Sequence, residues 1–360
     1  MAIITVWRQE FSDYRHIHNI NATEEQTVQI YMPWPGHSVR FQLTAEFDEV
    51  PIHVRAMSVS RGDDMPLPVT VGGQDRFDVL PRLTRWTDWV DLNLAGGEWL
   101  TIYIHATNHT IRTLGSVSAT NLIDPGQAEA DERFFGVNAV QAAVDVDQPV
   151  RRLVFFGDSL TNMSRFSAPL ARKLVKRGIV TANHGISGNR LLYPGHGLSP
   201  WVHSFGEAGI RRIDHLLVTE PPAMLLFMEG LNDLLHPGTE SPARELPSAA
   251  GLNQGIDTVA AKCADRHVTF IPMTITPFGQ SQLGGIEAWS PEKEKIRQAV
   301  NDHIRSFPYA IDLASQVAST ADSSVLDAVY DRGDHIHFSV PGGREAAKFL
   351  YADLRKQKLV

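Results

Sequence analysis

From residue 151 to the end of the chain, short apolar runs alternate with stretches of helical periodicity, and this alternation is what most constrains the fold. It is typical of a parallel sheet covered by helices on both faces, which is a three-layer α/β/α domain. Pro341 precedes the last helical stretch, at a position where its missing N–H costs little. The predicted strands are residues 153–156, 180–184, 223–228 and 268–273, with a weaker one near 309–313, and the predicted helices are residues 165–177, 207–219, 249–265, 291–306 and 342–356.

The first part of the chain has a different pattern, in which short runs of alternating apolar and polar residues are separated by glycine turns. Residues 38–44, 52–57 and 99–105 show the period of half-buried strands. Many short strands without sustained helical periodicity predict an all-β sandwich, similar to a jelly roll. Because 360 residues exceed the size at which one core stops growing, we expect two domains, at residues 1–148 and 149–360.

Composition and charge exclude several classes of function. The net charge of −8 argues against nucleic acid or an anionic membrane as the main partner. No apolar run reaches the roughly 18 residues of a transmembrane helix, and the first residues lack the pattern of a secretory signal. Cys263 is the only cysteine, which excludes an intramolecular disulfide and a zinc site built on cysteines. Together these features predict a cytoplasmic protein.

Polar residues cluster at four points of the second half of the chain, three at the ends of predicted strands and one before the last helix. In a doubly wound sheet the carboxyl ends of the strands face one crevice, so we expect these points to converge there. They are Gly157-Asp158-Ser159-Leu160, residues 183–189, Gly230-Leu231-Asn232-Asp233 and Asp334-His335-Ile336-His337.

The residue types at these points are those that acyl transfer requires. A serine is a weak nucleophile until a neighbouring base removes its proton, and imidazole has a suitable pKa near neutrality. A carboxylate that accepts the other N–H of the imidazole holds the ring in one tautomer. Backbone N–H groups and a side-chain amide can then stabilise the developing oxyanion.

The four points resemble the conserved blocks of the GDSL, or SGNH, hydrolase family of serine esterases and lipases. The blocks G-D-S-L, G-x-N-D and D-x-x-H are complete and in order, and the resemblance covers about residues 150–360. It implies an SGNH-type domain that works without a metal or an organic cofactor. It also implies that Ser159 is the nucleophile, that His337 is the general base and acid, that Asp334 orients His337, and that Ser159, Gly188 and Asn232 form the oxyanion hole.

The same resemblance implies a carboxylic ester hydrolase that forms an acyl-serine intermediate. A β-sandwich in front of such a domain is similar in layout to some carbohydrate esterases and to some acyltransferases. We therefore expect hydrolysis of short-chain acyl esters, first among them O-acetyl groups on carbohydrates. The alternative is an acyltransferase that uses the same triad. The expected partner is a small-molecule or oligosaccharide ester, with no nucleic acid and no membrane, and a homo-oligomer is left open.

Two positions in these blocks have a competitor. Asp331 competes with Asp334 as the residue that orients His337, although Asp334 has the family spacing. Gly185 competes with Gly188 as the oxyanion glycine, and the resemblance favours Gly188 because an asparagine follows it, as in many members of the family. The residues after Gly188 either line a substrate pocket or pack in the core; they include Arg190, Tyr193, Trp201, His203 and Phe205.

Two other interpretations apply to the histidines and to the first domain. His16/His18 and His335/His337 have the spacing that places two rings on one face of a strand, which can bind zinc, but neither pair has an evident third ligand. A carbohydrate-binding protein with a catalytically silent second domain is a further hypothesis, and the intact serine, aspartate and histidine argue against it.

Overall fold

The computed structural model describes residues 1–15, 25–116, 120–122, 133–145, 150–197, 201–219 and 221–360. The chain divides into two units. One comprises residues 1–150 with 180–182, and the other comprises residues 151–179 with 183–360. The predicted domain boundary, between residues 148 and 149, lies outside the described residues and stays a prediction.

The first unit is built from antiparallel strands in which buried and exposed side chains alternate. In β10 (Glu98–Ala106), for example, Leu100, Ile102 and Ile104 are completely buried, because successive side chains of a strand point to opposite faces. The other strands are β1 (Ala2–Arg8), β2 (Ser12–Asp13), β3 (Glu25–Met32), β4 (Gly36–Thr44), β5 (Ile52–Arg61), β6 (Leu67–Pro68), β7 (Phe77–Val79), β8 (Thr84–Trp86), β9 (Val90–Leu94), β11 (Thr113–Ser116), β12 (Thr120–Leu122), β13 (Arg133–Phe134) and β14 (Gly136–Val144).

These strands form two main sheets. One has the order β1-β14-β4-β8, with β9 paired to β4, and the other has the order β12-β3-β10-β5-β6, with β7 paired to β5. A smaller sheet has the order β13-β11-β2. The long pairs are antiparallel, as in β4 with β14 and in β10 with β3 and β5. The predicted all-β sandwich is confirmed.

The second unit alternates strands and helices, as the sequence pattern predicts. Three of its helices begin at serines, Ser248, Ser290 and Ser339, each of whose hydroxyls accepts a backbone N–H of the first turn. The strands are β15 (Arg151–Gly157), β16 (Ile179–Gly185), β17 (Met224–Met228), β18 (Thr269–Pro272), β19 (Gln282–Leu283) and β20 (Ile286–Glu287), and the helices are α1 (Ser159–Asn162), α2 (Ser167–Val175), α3 (Gly209–Thr219), α4 (Leu231–Leu235), α5 (Ala249–Asp265), α6 (Pro291–Arg305), α7 (Leu313–Val317) and α8 (Val340–Lys356).

The main sheet of this unit has the order β16-β15-β17-β18, and β17 pairs in parallel with both of its neighbours. All five residues of β17 are buried, as expected of a central parallel strand covered on both faces. The strand order reverses between β15 and β17. In open α/β sheets the crevice at such a switch point, at the carboxyl ends of the strands, is where ligands bind.

The predicted weak strand at residues 309–313 is wrong as a strand. It is reduced to one parallel bridge between Ile311 and Met273, next to β18. The chain leaves the sheet there because Asp312 caps α7, its side chain accepting the N–H of Ser315.

Helices cover the sheet in two groups, and the three-layer arrangement is confirmed. Helices α2 and α7 pack against α8, while α3 and α6 pack against α5. The short helices α1, α4 and α7 were not predicted, since four or five residues are too few to show helical periodicity. Among the described residues, no helix combines the length and the apolar character needed to cross a bilayer.

Candidate active site

Ser159 lies at the carboxyl end of β15, where the strand turns into α1. Asp158 caps this short helix, and its Oδ1 accepts the N–H of Leu160 at 2.9 Å. The turn requires glycine before it, because a Cβ on Gly157 would lie 2.6 Å from the carbonyl oxygen of Met228 at the end of β17. The serine is therefore held at the switch point between β15 and β17.

The loop before α8 brings His337 and Asp334 to this serine. The His337 Nε2 atom lies 2.8 Å from the Ser159 Oγ atom. On the other side of the ring, the His337 Nδ1 atom lies 2.7 Å from the Asp334 Oδ2 atom. Three side chains separated by as many as 178 positions thus form one hydrogen-bonded line. A nucleophile next to a base, with the base held by a third group, is the geometry that activates a serine.

Asp334 is held by its own loop. Its Oδ1 accepts the backbone N–H groups of Ile336 at 3.0 Å and of His337 at 2.8 Å. Burial tends to raise the pKa of Asp334, but the hydrogen bond and charge of His337 and these two N–H groups outweigh it and hold the pKa well below its usual range. Arg332 donates to Asp334 Oδ2 at 2.6 Å. The carboxylate therefore stays ionised and can orient the imidazole.

Gly188 lies in the turn after β16 with a φ of 78°, a conformation that favours glycine. A Cβ at this position would lie 2.1 Å from the ring of Phe205. Among the described residues the Gly188 N–H donates no hydrogen bond, and Ser159, as the first residue of α1, has no partner for its N–H within the helix. Two backbone donors are therefore free, one on the serine itself and one in the turn after β16.

The competing glycine, Gly185, has a different role. It is the last residue of β16, and a Cβ there would lie 2.3 Å from the backbone nitrogen of Asn162 in α1. Its carbonyl accepts the side-chain amide of Asn162 at 2.8 Å. Gly185 therefore lets α1 approach the strand closely, whereas Gly188 is half-buried in the turn that follows the strand.

Asn232 lies in α4, directly after β17. Gly230 caps this helix with a φ of 108°, which is again a glycine conformation. The Asn232 Nδ2 atom donates to the carbonyl of Asn189 at 2.9 Å and has only a 3.5 Å contact with Asp158 Oδ2. At 3.5 Å a hydrogen bond is weak, so one of the two amide N–H groups remains available as a third donor.

Buried ionisable side chains cluster next to the ends of β15 and β17. Burial raises the pKa of Asp158 to about 7 and raises the pKa values of Glu229 and Asp233. Arg212 is the cation within reach of Glu229, with its NH2 3.1 Å from Glu229 Oε1. Asp233 accepts the backbone N–H groups of residues 191 and 192 at 2.6 and 2.9 Å, which fixes the chain after the Gly188 turn.

In the loop before α8, the structure distinguishes Asp334 from Asp331 and tests the pairing of His335 with His337 as metal ligands. Asp331 does not contact His337; its Oδ2 lies 2.7 Å from the Nδ1 of His335. Both ring nitrogens of His337 face Ser159 and Asp334, so this ring is not disposed to share a metal with His335. Within the described part of the chain, no three side chains of the types that bind metals come close enough to hold an ion. The pair His16/His18 lies outside the described residues.

Three of the side chains after Gly188, those of Arg190, Tyr193 and Phe205, make packing contacts. Arg190 is buried and packs: its guanidinium donates to Glu245 at 2.8 Å and to the carbonyl of Pro194 at 2.9 Å. The Tyr193 ring lies over this guanidinium at 5.1 Å and is 37% exposed. Phe205 lies against Gly188 and next to the ring of His236, with centroids 5.0 Å apart.

The profile of the GDSL-like lipase/acylhydrolase family matches residues 155–344, slightly more than half of the chain. The chain belongs to this family. As a GDSL-like acylhydrolase it is a carboxylic ester hydrolase. The matched residues include Ser159, Gly188, Asn232, Asp334 and His337.

Solved structures of several esterases and lipases are similar to this GDSL-like chain, and no curated protein matches it. The psychrotrophic esterase EstA from Pseudoalteromonas sp. has 16% identity, with a TM-score of 0.40 over 58% of this chain and 100% of that one. The aryl esterase of M. smegmatis has 15% identity and a TM-score of 0.43 over 58% and 100%. A GDSL-like lipase from Bacteroides thetaiotaomicron has 16% identity and a TM-score of 0.43 over 60% and 93%.

Several residues around the GDSL-like site could not be predicted from the sequence pattern. Arg332 touches Asp334, and Arg212 and Glu229 form the buried ion pair beneath the site. The position of Glu229 in the sequence indicates a buried group, because a carboxylate directly after an apolar strand is buried and then needs a cation or a hydrogen-bond donor. Nothing local identifies that partner, since Arg212 is an ordinary position on an amphipathic helix.

Proposed function

We propose that this chain is a serine esterase that hydrolyses short-chain acyl esters, with O-acetyl groups on carbohydrates as its substrate class. The observation that carries the proposal is the continuous contact from Ser159 Oγ through His337 to Asp334, at 2.8 and 2.7 Å. It supports covalent catalysis, because a base already lies within reach of the nucleophile's proton.

In the first half of the reaction His337 Nε2 takes the proton of the Ser159 hydroxyl while the Oγ attacks the ester carbonyl carbon. The carbonyl π electrons move to the oxygen. The N–H groups of Ser159 and Gly188 and the amide of Asn232 stabilise this oxyanion. His337 then gives its proton to the departing alcohol oxygen, the C–O bond breaks, and the acyl group remains on Ser159.

In the second half a water molecule replaces the alcohol. His337 removes a proton from the water, and the water oxygen attacks the acyl carbon. The second oxyanion collapses, the bond to Ser159 Oγ breaks, and the serine regains its proton from His337. Asp334 remains ionised throughout and stabilises the imidazolium that forms in each half.

The surroundings of Gly188 support a short acyl group. The Phe205 ring lies against this glycine and the His236 ring lies beside the Phe205 ring, so bulky side chains fill the space next to Gly188. Burial, together with the charges of Arg190 and Lys293, lowers the pKa of His236 to about 3. The ring is therefore uncharged at neutral pH, as suits an apolar acyl group.

Tyr193 supports a sugar as the alcohol part. Its ring is 37% exposed and rests on the buried guanidinium of Arg190, whose other contacts fix its position. The C–H face of a sugar ring packs well on such an aromatic face. The backbone before Tyr193 is held by Asp233, the neighbour of Asn232, so this platform has a fixed relation to the oxyanion donors.

A chain-length series of nitrophenyl esters, followed by acetylated oligosaccharides, tests the proposal. We expect turnover of acetyl and butyryl esters, weak turnover of long-chain esters, and no turnover in Ser159→Ala. Phe205→Ala should move the preference towards longer acyl chains. Ser290→Ala is the matched control, since it removes the cap of α6, costs about 1 kcal/mol of stability, and should keep its kcat.

Product analysis separates hydrolysis from acyl transfer. We expect free acid as the product both with and without an added acceptor alcohol. Exclusive appearance of a new ester in the presence of acceptor would contradict hydrolysis, and full activity of Ser159→Ala would contradict the proposed nucleophile.

A further inference from the structure

Arg212 of α3 contacts the ends of three neighbouring strands at once. Its NH1 donates to the carbonyl of His184 in β16 at 2.8 Å, and its NH2 donates to the carbonyl of Gly157 in β15 at 3.3 Å. The NH2 also donates to Glu229, directly after β17, at 3.1 Å. One guanidinium therefore joins the carboxyl edges of β16, β15 and β17.

The same guanidinium holds the turn that carries Gly188. Its Nε and NH2 atoms donate to the side-chain oxygen of Asn189 at 3.1 and 3.0 Å. The Asn189 amide in turn donates to the carbonyls of Phe205 and Glu207 at 2.6 and 2.7 Å. The Asn189 carbonyl accepts the amide of Asn232 at 2.9 Å. Asn189 thus links Arg212 both to Gly188, its neighbour in the chain, and to the amide of Asn232.

Burying a guanidinium and a carboxylate costs solvation free energy, which only well-placed hydrogen bonds offset. The Arg212 side chain is 10% exposed, the Glu229 side chain is completely buried, and the guanidinium lies 4.1 Å from the Phe156 ring centroid. A buried ion pair contributes little net stability compared with apolar residues of the same volume, whereas its planar fork fixes several acceptors at defined angles.

We propose that Arg212, held by Glu229, is a positioning residue for the oxyanion hole. Through Asn189 it sets the distance of the Gly188 N–H and the Asn232 amide from the Ser159 hydroxyl. Arg212 touches neither substrate nor reacting atoms, so its effect is on the transition state and not on substrate binding. This inference rests on the proposed esterase function.

The second unit contains a matched control. Arg297 is also buried and pairs with Glu294, and it donates to the carbonyls of Ile275 and Ser323 at 3.0 and 3.1 Å. Arg212→Lys and Arg297→Lys each keep a positive charge and lose the planar fork. Both variants should lose stability, and only the first should lose catalytic rate.

The experiment measures kcat and KM on nitrophenyl acetate, and the unfolding temperature, for the full-length variants. We expect Arg212→Lys to lower kcat by about 10- to 100-fold with KM within about twofold, since a misplacement near 1 Å can cost that much. Glu229→Gln keeps an acceptor for the guanidinium and should retain most of the rate. Asn189→Ala, which cuts the link while the ion pair stays, should lose kcat like Arg212→Lys.

Wild-type kcat in folded Arg212→Lys would overturn the inference, as would a change in KM alone or an equal loss of kcat in Arg297→Lys. If Arg212→Lys does not fold, Asn189→Ala decides by the same criteria. These failures differ from failure of the proposed function, because Ser159→Ala measured alongside would still be inactive if only the positioning role is wrong.

Discussion

Two aspartates in one loop, Asp331 and Asp334, each lie 2.7 Å from a histidine ring, but only Asp334 touches the histidine that faces Ser159. We expect Asp334→Asn to lower kcat by about 10³- to 10⁴-fold, because an amide cannot hold the imidazole in the required tautomer. Asp331→Asn is the matched control and should keep kcat within a few-fold. Steady-state kinetics of both variants on nitrophenyl acetate measures the difference, and equal losses would contradict the assignment.

At the residue scale, the order and spacing of residues along the chain predict the main candidate residues of the site. Ser159, Asn232 and His337 each lie in a short block whose order and spacing can be read from the sequence. The Arg212–Glu229 pair could not be read in this way. Arg212 lies in α3 and Glu229 directly follows β17, and only the folding of α3 onto the sheet edge places one beside the other.

At the element scale, the turn after β16 depends on glycine for two reasons. Gly188 has a φ of 78°, and a Cβ there would lie 2.1 Å from Phe205. We expect Gly188→Ala to lower kcat by about 10²-fold or more, because strain and contact both move the N–H away from the oxyanion. The double variant with Phe205→Ala removes the contact but keeps the strain, so it should recover only part of the rate. Full recovery in the double variant would show that φ is unimportant.

The long helices were predicted more accurately than the short elements. The prediction for residues 249–265 agrees with α5 at both ends, and that for 291–306 exceeds α6 by one residue, because helical periodicity is a local signal. The segment 309–313 has the apolar character of a strand. Its pairing with β18 is limited to one bridge because the next helix begins at Asp312. Strand propensity alone does not describe this competition between the strand and the helix.

At the scale of the whole molecule, the ionisation of Asp158 makes the free energy of unfolding depend on pH. Its carboxyl ordinarily loses its proton near pH 3.8, whereas in the folded protein burial raises its pKa to about 7. The folded state therefore binds this proton more tightly than the unfolded chain. The stability that this group contributes is fully present below about pH 4 and is lost as the pH rises to about 7.

Denaturant unfolding between pH 4 and pH 8 tests this linkage. We expect the free energy of unfolding of the wild type to fall over this range by an amount on the order of a few kcal/mol from this group. Asp158→Asn cannot ionise and should show a flatter profile. Asp265→Asn, at the exposed end of α5, should keep the wild-type slope. Parallel profiles for wild type and Asp158→Asn would contradict a raised pKa at this position.

The division into a β unit and an α/β unit was predictable, because strand and helical periods differ along the chain. The family follows from the matched residues 155–344. The cytoplasmic location, the absence of nucleic-acid and membrane partners, and the assembly state are still predictions, since these depend on surfaces and surroundings that no periodicity encodes.

Covalent labelling tests the central claim, that Ser159 is the nucleophile, most directly. The full-length protein is treated with a nitrophenyl phosphonate ester, which transfers its phosphorus to an activated serine oxygen as nitrophenolate leaves. Mass spectrometry then locates the adduct. We predict one adduct per chain, on Ser159, with parallel loss of esterase activity and no adduct in Ser159→Ala. An adduct on another residue, or equal labelling of Ser159→Ala, would contradict the account.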